Sequence, residues 1–163
     1  MNIFFLDRNP RKAAEYHCDK HVVKMILETA QMLYCAHWIL DPSDLPDNAY
    51  KLAHKNHPCS VWVRQSLTNY LWLCSLGWWL CKEYTFRYEK VHKTQDHITW
   101  LFRNPPKTIP YKLMTEPAQA MPIEYKNSDP IEAYRKYYIE SKYKNRNIVT
   151  YKKREKPSFI ECL

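Results

Sequence analysis

Residues 18–33 read CDKHVVKMILETAQML, and this stretch decides the fold. At about 100° per residue, Val22, Met25, Ile26, Thr29 and Leu33 gather on one side as a core face. His17, His21, Lys24, Glu28 and Cys35 fall in a narrow sector opposite. The periodicity predicts one helix running from Asn9-Pro10, where Asn caps and Pro fits the first turn, to about Leu40.

Outward from this helix the rest of the chain follows the same grammar. An apolar segment, Asn2 to Leu6, precedes it as an extended piece. The loop Asp41–Asn48 is closed to helix by its prolines. A second long helix is expected from Pro58, in the phrase KNHPCSVWV, to about Phe86, and a shorter one over Tyr88–Phe102. Prolines 105, 106, 110, 117 and 122 make Asn104–Pro122 an irregular strap. Ser128-Asp129-Pro130 starts a last helix, Ile131 to Tyr143, before a basic tail. The expectation is an all-α fold: one compact domain over 1–163, of three to four helices with a proline-rich strap and a basic C-terminal tail. Its parts are 1–40, 58–102 and 128–163.

Composition excludes several functions. The chain has one glycine, Gly77, so neither a Rossmann dinucleotide loop nor a Walker P-loop can be built. Asn-Gly and Asp-Gly hairpins are missing as well, which argues against a mostly β fold. The net charge is +8, and from Pro130 onward nine Lys/Arg stand against four Glu. With 13 Tyr, 6 Trp and 5 Phe, this basic chain suits a polyanion whose bases can stack, meaning nucleic acid. A basic solubilising surface is the plainer alternative. Val61–Cys81 is the most apolar stretch but carries Arg64, Gln65 and Asn69, as a core helix does and a membrane span does not. Asp7 and Arg8 end the first apolar run too early for a signal peptide, and the six cysteines show no CxxC pair. Reduced thiols in an intracellular, DNA-containing compartment are expected.

The polar sector of the first helix supports two chemistries. His17 and His21, at i and i+4, suit a metal site completed by Glu28 or by a distant His54, His57, Cys59, His92 or His97. Alternatively Glu28 is a catalytic carboxylate and His21 helps to place the substrate.

CDKHVVKMILETAQML also resembles the first catalytic helix of the pyrimidine-dimer DNA glycosylases, small all-helical phage and bacterial repair enzymes. Asp19, His21 and Glu28 stand at the spacings of that family's acidic residue, histidine and catalytic glutamate. Asn56-His57-Pro58 matches an Asn-His-Pro of bacterial members, and Tyr134-Arg135-Lys136-Tyr137-Tyr138 resembles the aromatic-basic cluster that ends phage members. The resemblance implies a metal-free glycosylase and AP lyase that attacks the sugar with its N-terminal α-amine. The family uses a threonine left after methionine removal. Here Asn2 follows Met1, so the amine would be that of Met1, with Lys24 or, off to one side, Lys20 in reserve. An α-amine ionises near pH 8 and a lysine near 10.4, which favours the terminus. Leu27 and Gln31 replace two arginines of the family, which points away from cyclobutane dimers and toward another lesion.

The remaining clusters have structural and functional readings. Trp62, Trp72, Trp78 and Trp79, with Tyr70, read as core. His57 is either a plain helix cap or faces phosphate from a helix N-terminus, beside Asn56. Arg87, Lys90, His92 and Lys93 line a groove or form a solvated face. Gln119, in the strap, would read a base edge, and Tyr134, Tyr137 and Tyr138 would stack or pack. The substrate-binding candidates are thus His17, Lys20, Asn56, His57, Gln119, Arg135, Lys136, Tyr137 and Tyr138. The tail beyond Tyr143 reads as dispensable for the fold. We expect a monomeric base-excision enzyme on double-stranded DNA, with no cofactor and no membrane partner. A metal-dependent nucleic-acid hydrolase and a non-catalytic nucleic-acid-binding protein are the alternatives.

Overall fold

The computed structural model describes residues 1–143 and 149–161, and among these every regular element is helical. Lys144, Arg146 and Cys162, read above as part of the basic tail and the reduced thiols, lie outside the described residues. The helices are α1 (Pro10–Glu15), α2 (Asp19–Leu40), α3 (Pro58–Val63), α4 (Leu67–Tyr88), α5 (Gln95–Arg103), α6 (Pro130–Tyr137) and the short α7 (Ser158–Glu161). One core cluster reaches from Ile3 to Tyr138 and unites them. No described helix is long and apolar enough to cross a membrane.

Both expected long helices are broken. The first stops at Tyr16 and restarts at Asp19, because the Cys18 N–H donates to the Tyr138 hydroxyl (2.9 Å) rather than to a carbonyl one turn back. Asp19 then opens α2, where its charge suits the helix N-terminus. The second stops at Val63. Ser66 caps α4 by accepting from Asn69 N–H (3.1 Å), while Leu67 N–H donates to Pro110 O of the strap (2.8 Å). The third helix starts later than expected, at Gln95, since Glu89 ends α4 in the left-handed conformation (φ 56°). Asn9 and Asp129 cap α1 and α6, each with proline behind it. The strap has no regular structure from Asn104 to Pro122 and is tied to α3 and α4 through Thr115, whose N–H donates to Asn69 Oδ1 (3.0 Å).

Left-handed turns fall to Phe4, His54, Glu89 and Lys153, while the chain's one glycine lies within a helix. Gly77 is where α2, α4 and α5 approach closely: a Cβ there would lie 2.9 Å from both Ile98 Cδ1 and Thr29 Cγ2. Alanine gains about 1 kcal/mol in helix propensity, but overpacking two stiff β-branched neighbours costs about 1–3 kcal/mol. Gly77→Ala should therefore lower the thermal midpoint by a few degrees. A raised midpoint would sink this account.

Trp62 and Trp72 are core, with Phe5 stacked on Trp72 at 3.9 Å, whereas Trp78 and Trp79 lie half-buried under Lys82 and Arg11. The described cysteines are free and buried. Burial holds the Cys59, Cys74 and Cys81 thiols well above the ordinary thiol range.

The tail, expected to be dispensable for the fold, is bonded to buried groups of the helices. Arg87, expected in a groove or on a solvated face, is fully buried and pairs with Glu83 (2.8 Å) and Asp19 (3.0 Å). The segment after residue 149 completes this cluster: Thr150 Oγ1 donates to Asp19 (2.6 Å), and Arg154 meets both Glu83 oxygens at 2.9 Å.

Candidate active site

Glu28 stands in the middle of α2, where its carboxylate is shared by three donors. Oε1 faces Lys24 Nζ at 3.1 Å, one turn back on the same helix. Oε2 accepts the Asn2 N–H at 3.0 Å, and the α-amine of Met1 lies 3.9 Å from the same oxygen. Segment 2–6 is buried and, where an extended piece was expected, turns at Asn2 and at left-handed Phe4, so the start of the chain lies folded across this face of α2. Cys35, in the same sector, is covered and buried. Beyond Glu28, α3 packs on α2 and brings Ser60 Oγ to 3.8 Å from the Met1 sulfur.

Two hollows meet at Lys24 and Glu28. The smaller, about 220 Å³, is lined by Met1, Asn2, Phe4, Lys20, His21 and Tyr137 besides these two. The larger is a groove of about 770 Å³ with apolar walls from Val23, Leu27 and Val91 and cationic Lys90 and Lys93. Its surface therefore offers both apolar contact for a base and positive charge for phosphate. Leu27 and Gln31, the two departures from the resembling family, both line it.

His21 is fixed from two sides. Phe4 stacks on its ring at 4.7 Å, and Tyr138 Oη lies 2.7 Å from His21 Nδ1. Tyr138 also accepts the Cys18 N–H, so one buried hydroxyl ties the start of α2 to the His21 ring. Tyr137 also belongs to the small hollow, against Tyr125 (5.1 Å), and Lys136 is exposed with its amine 6.0 Å over the Tyr125 ring.

Several expected site residues are placed elsewhere. His17 lies in the break between α1 and α2, fully buried, with Nδ1 donating to Ala13 O at 2.6 Å and Nε2 unpartnered. It lines neither hollow, and the set His17, His21 and Glu28 does not converge. Among the described residues no three His, Cys, Asp or Glu side chains could hold a metal ion. Gln119 spends its amide on Asn127, donating to its O at 2.6 Å and accepting its N–H at 3.0 Å, which closes the strap rather than presenting a base-reading edge. Arg135 donates to Leu6 O (2.9 Å) and pairs with Asp7, so it anchors the N-terminal segment. Tyr138 is buried and cannot stack on a base. Asn56 is exposed in the turn before α3, and His57 caps that helix by accepting the Cys59 N–H (3.2 Å). Burial first, then the charged chain terminus, holds His57 below the ordinary imidazole range.

Burial also pulls His17 down to about 4 from the ordinary 6.5. The unfolded chain then binds more protons between those values. Stability is complete above pH 6.5 and falls as the pH drops toward 4, by on the order of 3 kcal/mol at 1.36 per unit. In a His17→Gln variant, thermal midpoints measured from pH 7 to 4 should lose much of this slope. An unchanged slope would assign the acid loss to other groups.

Lys90, His92 and Lys93 line the groove, one of the two placements expected for them, and the residues missed from sequence are those of its apolar wall. Val23 and Leu27 are apolar residues at i and i+4 on the solvent side of α2, and both remain exposed beside Lys24 and Glu28. That pairing was the available signal. Comparison with curated proteins returns no match, and comparison with solved structures returns none. A family model described as pyrimidine dimer DNA glycosylase matches residues 1–96, the span that carries the N-terminal segment, α2 and all the residues that line the groove. That is more than half of the chain, and the protein belongs to the pyrimidine dimer DNA glycosylase family.

Proposed function

We propose that the protein is a base-excision glycosylase and AP lyase acting on double-stranded DNA as a monomer, through an imine formed by the Met1 α-amine, with Glu28 as its acid–base partner. The observation that carries this reading is the convergence of the amine, the Glu28 carboxylate and Lys24 at the meeting point of a small pocket and a cationic groove. A target base inside a duplex is out of reach of such a site, so a nucleotide must be extruded, and the groove has the volume and the apolar wall to receive one.

The chemistry then follows from the groups present. The amine nitrogen attacks C1′, the glycosidic bond breaks, and the base leaves with the bonding pair. Opening of the sugar ring and loss of the amine proton give the imine. Glu28 removes a C2′ proton, and elimination breaks the C3′–O bond to release a 5′-phosphate. Water finally hydrolyses the imine and restores the amine. A carboxylate beside the amine serves twice, steadying the cationic sugar and moving the proton. Leu27 and Gln31 in place of arginines on the groove wall favour a damaged or modified base other than the cyclobutane dimer.

Borohydride trapping tests this. The protein should be covalently trapped on duplexes with an abasic site, and a lesion panel should reveal which base it excises. A chain extended ahead of Met1 should lose trapping, whereas Lys24→Arg should retain it. The reverse pattern moves the nucleophile to Lys24. Absence of trapping on every DNA, with a stoichiometric metal in elemental analysis, would replace this mechanism by a metal-assisted hydrolysis.

A further inference from the structure

The Asn2 side chain makes three hydrogen bonds at the site, and the chemistry above does not use its carboxamide. The residue is buried. Its Oδ1 accepts from Ile3 N–H (2.8 Å) and Phe4 N–H (3.3 Å), and its Nδ2 donates to the Ala120 carbonyl of the strap (2.9 Å). The two Oδ1 bonds form an Asx-type turn that reverses the chain directly after the second residue. Phe4 follows in the left-handed conformation (φ 50°), a strained state for a residue with a bulky side chain. That turn directs the first peptide N–H at Glu28 and leaves the Met1 amine beside the same carboxylate oxygen.

The other two ends of the arrangement are fixed as well. The Met1 side chain is 3% exposed and ends against Ser60 on α3. The strap at Ala120 is fixed by the buried Tyr134 of α6, whose hydroxyl accepts the Ala120 N–H (3.3 Å) and donates to Ala118 O (2.6 Å). We propose that Asn2 is a positioning residue: its carboxamide, braced by the strap, sets the α-amine of a retained Met1 against Glu28. This rests on the amine mechanism proposed above. Asparagine suits the task because one group must accept two N–H bonds and donate one, next to a carboxylate. Aspartate has no donor and adds like charge. Leucine fills the volume and bonds nothing.

The test uses the full chain with Asn2→Leu and Asn2→Asp, both large enough at position 2 to keep Met1. Intact mass, DNA affinity by anisotropy and single-turnover borohydride trapping on an abasic duplex are measured for each. The wild-type mass should include Met1. Asn2→Leu should slow trapping about 100-fold, as a misplacement near 1 Å does, with DNA affinity within about twofold and the thermal midpoint lowered by a few degrees through the lost hydrogen bonds. Asn2→Asp should fall between, its deficit shrinking from pH 8 to pH 5 as the new carboxylate takes a proton. Should Asn2→Leu fail to fold, the pH profile of Asn2→Asp decides. Wild-type trapping rates in Asn2→Leu, a flat Asn2→Asp profile, or loss that merely tracks lost affinity overturns the proposal. A mass beginning at Asn2 also overturns it, since Asn2 would then carry the amine itself. Failure of the wild type to trap on any DNA overturns the underlying mechanism instead.

Discussion

Glu28→Gln is expected to leave DNA binding close to wild type and to lower strand cleavage by roughly 100- to 10,000-fold, the range for losing an acid–base group. The substitution keeps the side-chain shape and an oxygen able to accept the Asn2 N–H, so the N-terminal segment should stay in place. What it removes is the basicity needed to take the C2′ proton and the charge that pairs with Lys24 at 3.1 Å. The cations of the groove, Lys90 and Lys93, are untouched, and loss of a carboxylate beside them lowers repulsion toward phosphate. Affinity should therefore hold or rise slightly. Borohydride trapping should persist in part, because the amine can still attack an abasic aldehyde unaided. Cleavage and trapping measured side by side separate the two steps. Full cleavage by the variant would remove Glu28 from the mechanism.

The sequence carried α2 and its faces well, because helical periodicity is local. Val22, Met25, Ile26 and Leu33 are all buried, and Glu28 and His21 share one hollow as their spacing requires. Asn9-Pro10 and Asp129-Pro130 start helices for reasons contained in four residues. Ser66 was equally local: a serine three residues before an asparagine N–H is an N-cap signal inside an apolar run. The break before Asp19 is different in kind. It is made by Tyr138, 120 residues away, and by Thr150 O, which accepts the Asp19 N–H, so no window around residue 18 contains its cause. The same holds for His17. Its spacing from His21 put it on the polar sector, but the break turns it into the core, where it is neutral and bonded to Ala13. Arg135 and Gln119 looked like nucleic-acid contacts because their partners, Leu6 O and the Asn127 backbone, are carbonyls and amides that composition does not reveal. Residue type reports what a side chain can bond, and tertiary structure decides with what.

Removal of residues 150–163 should destabilise the protein by roughly 3–5 kcal/mol, the cost of stripping partners from a buried ion cluster. Glu83 is buried and accepts from Arg87 at 2.8 Å and from Arg154 at 2.9 Å on each oxygen. Asp19 accepts from Arg87, from Thr150 Oγ1 and from Lys152 N–H. Without the tail, two carboxylates are left to one fully buried guanidinium, and Tyr16 O loses the Tyr151 hydroxyl at 2.8 Å. Against a total near 5–15 kcal/mol, such a loss should lower the thermal midpoint by about 10 °C or more. If the tail were merely a basic arm for phosphate, its removal would change the salt dependence of DNA affinity and leave the midpoint alone. Two single substitutions separate these roles. Arg154→Ala should reproduce a large part of the midpoint loss, since it removes the bidentate partner of Glu83, whereas the exposed Lys156→Ala should leave stability unchanged. Because Asp19 opens the helix that carries His21 and Glu28, the Arg154→Ala loss should also reach catalysis, as a lower cleavage rate at temperatures where the protein is still folded. A truncated chain with an unaltered midpoint would show that the cluster closes without its tail.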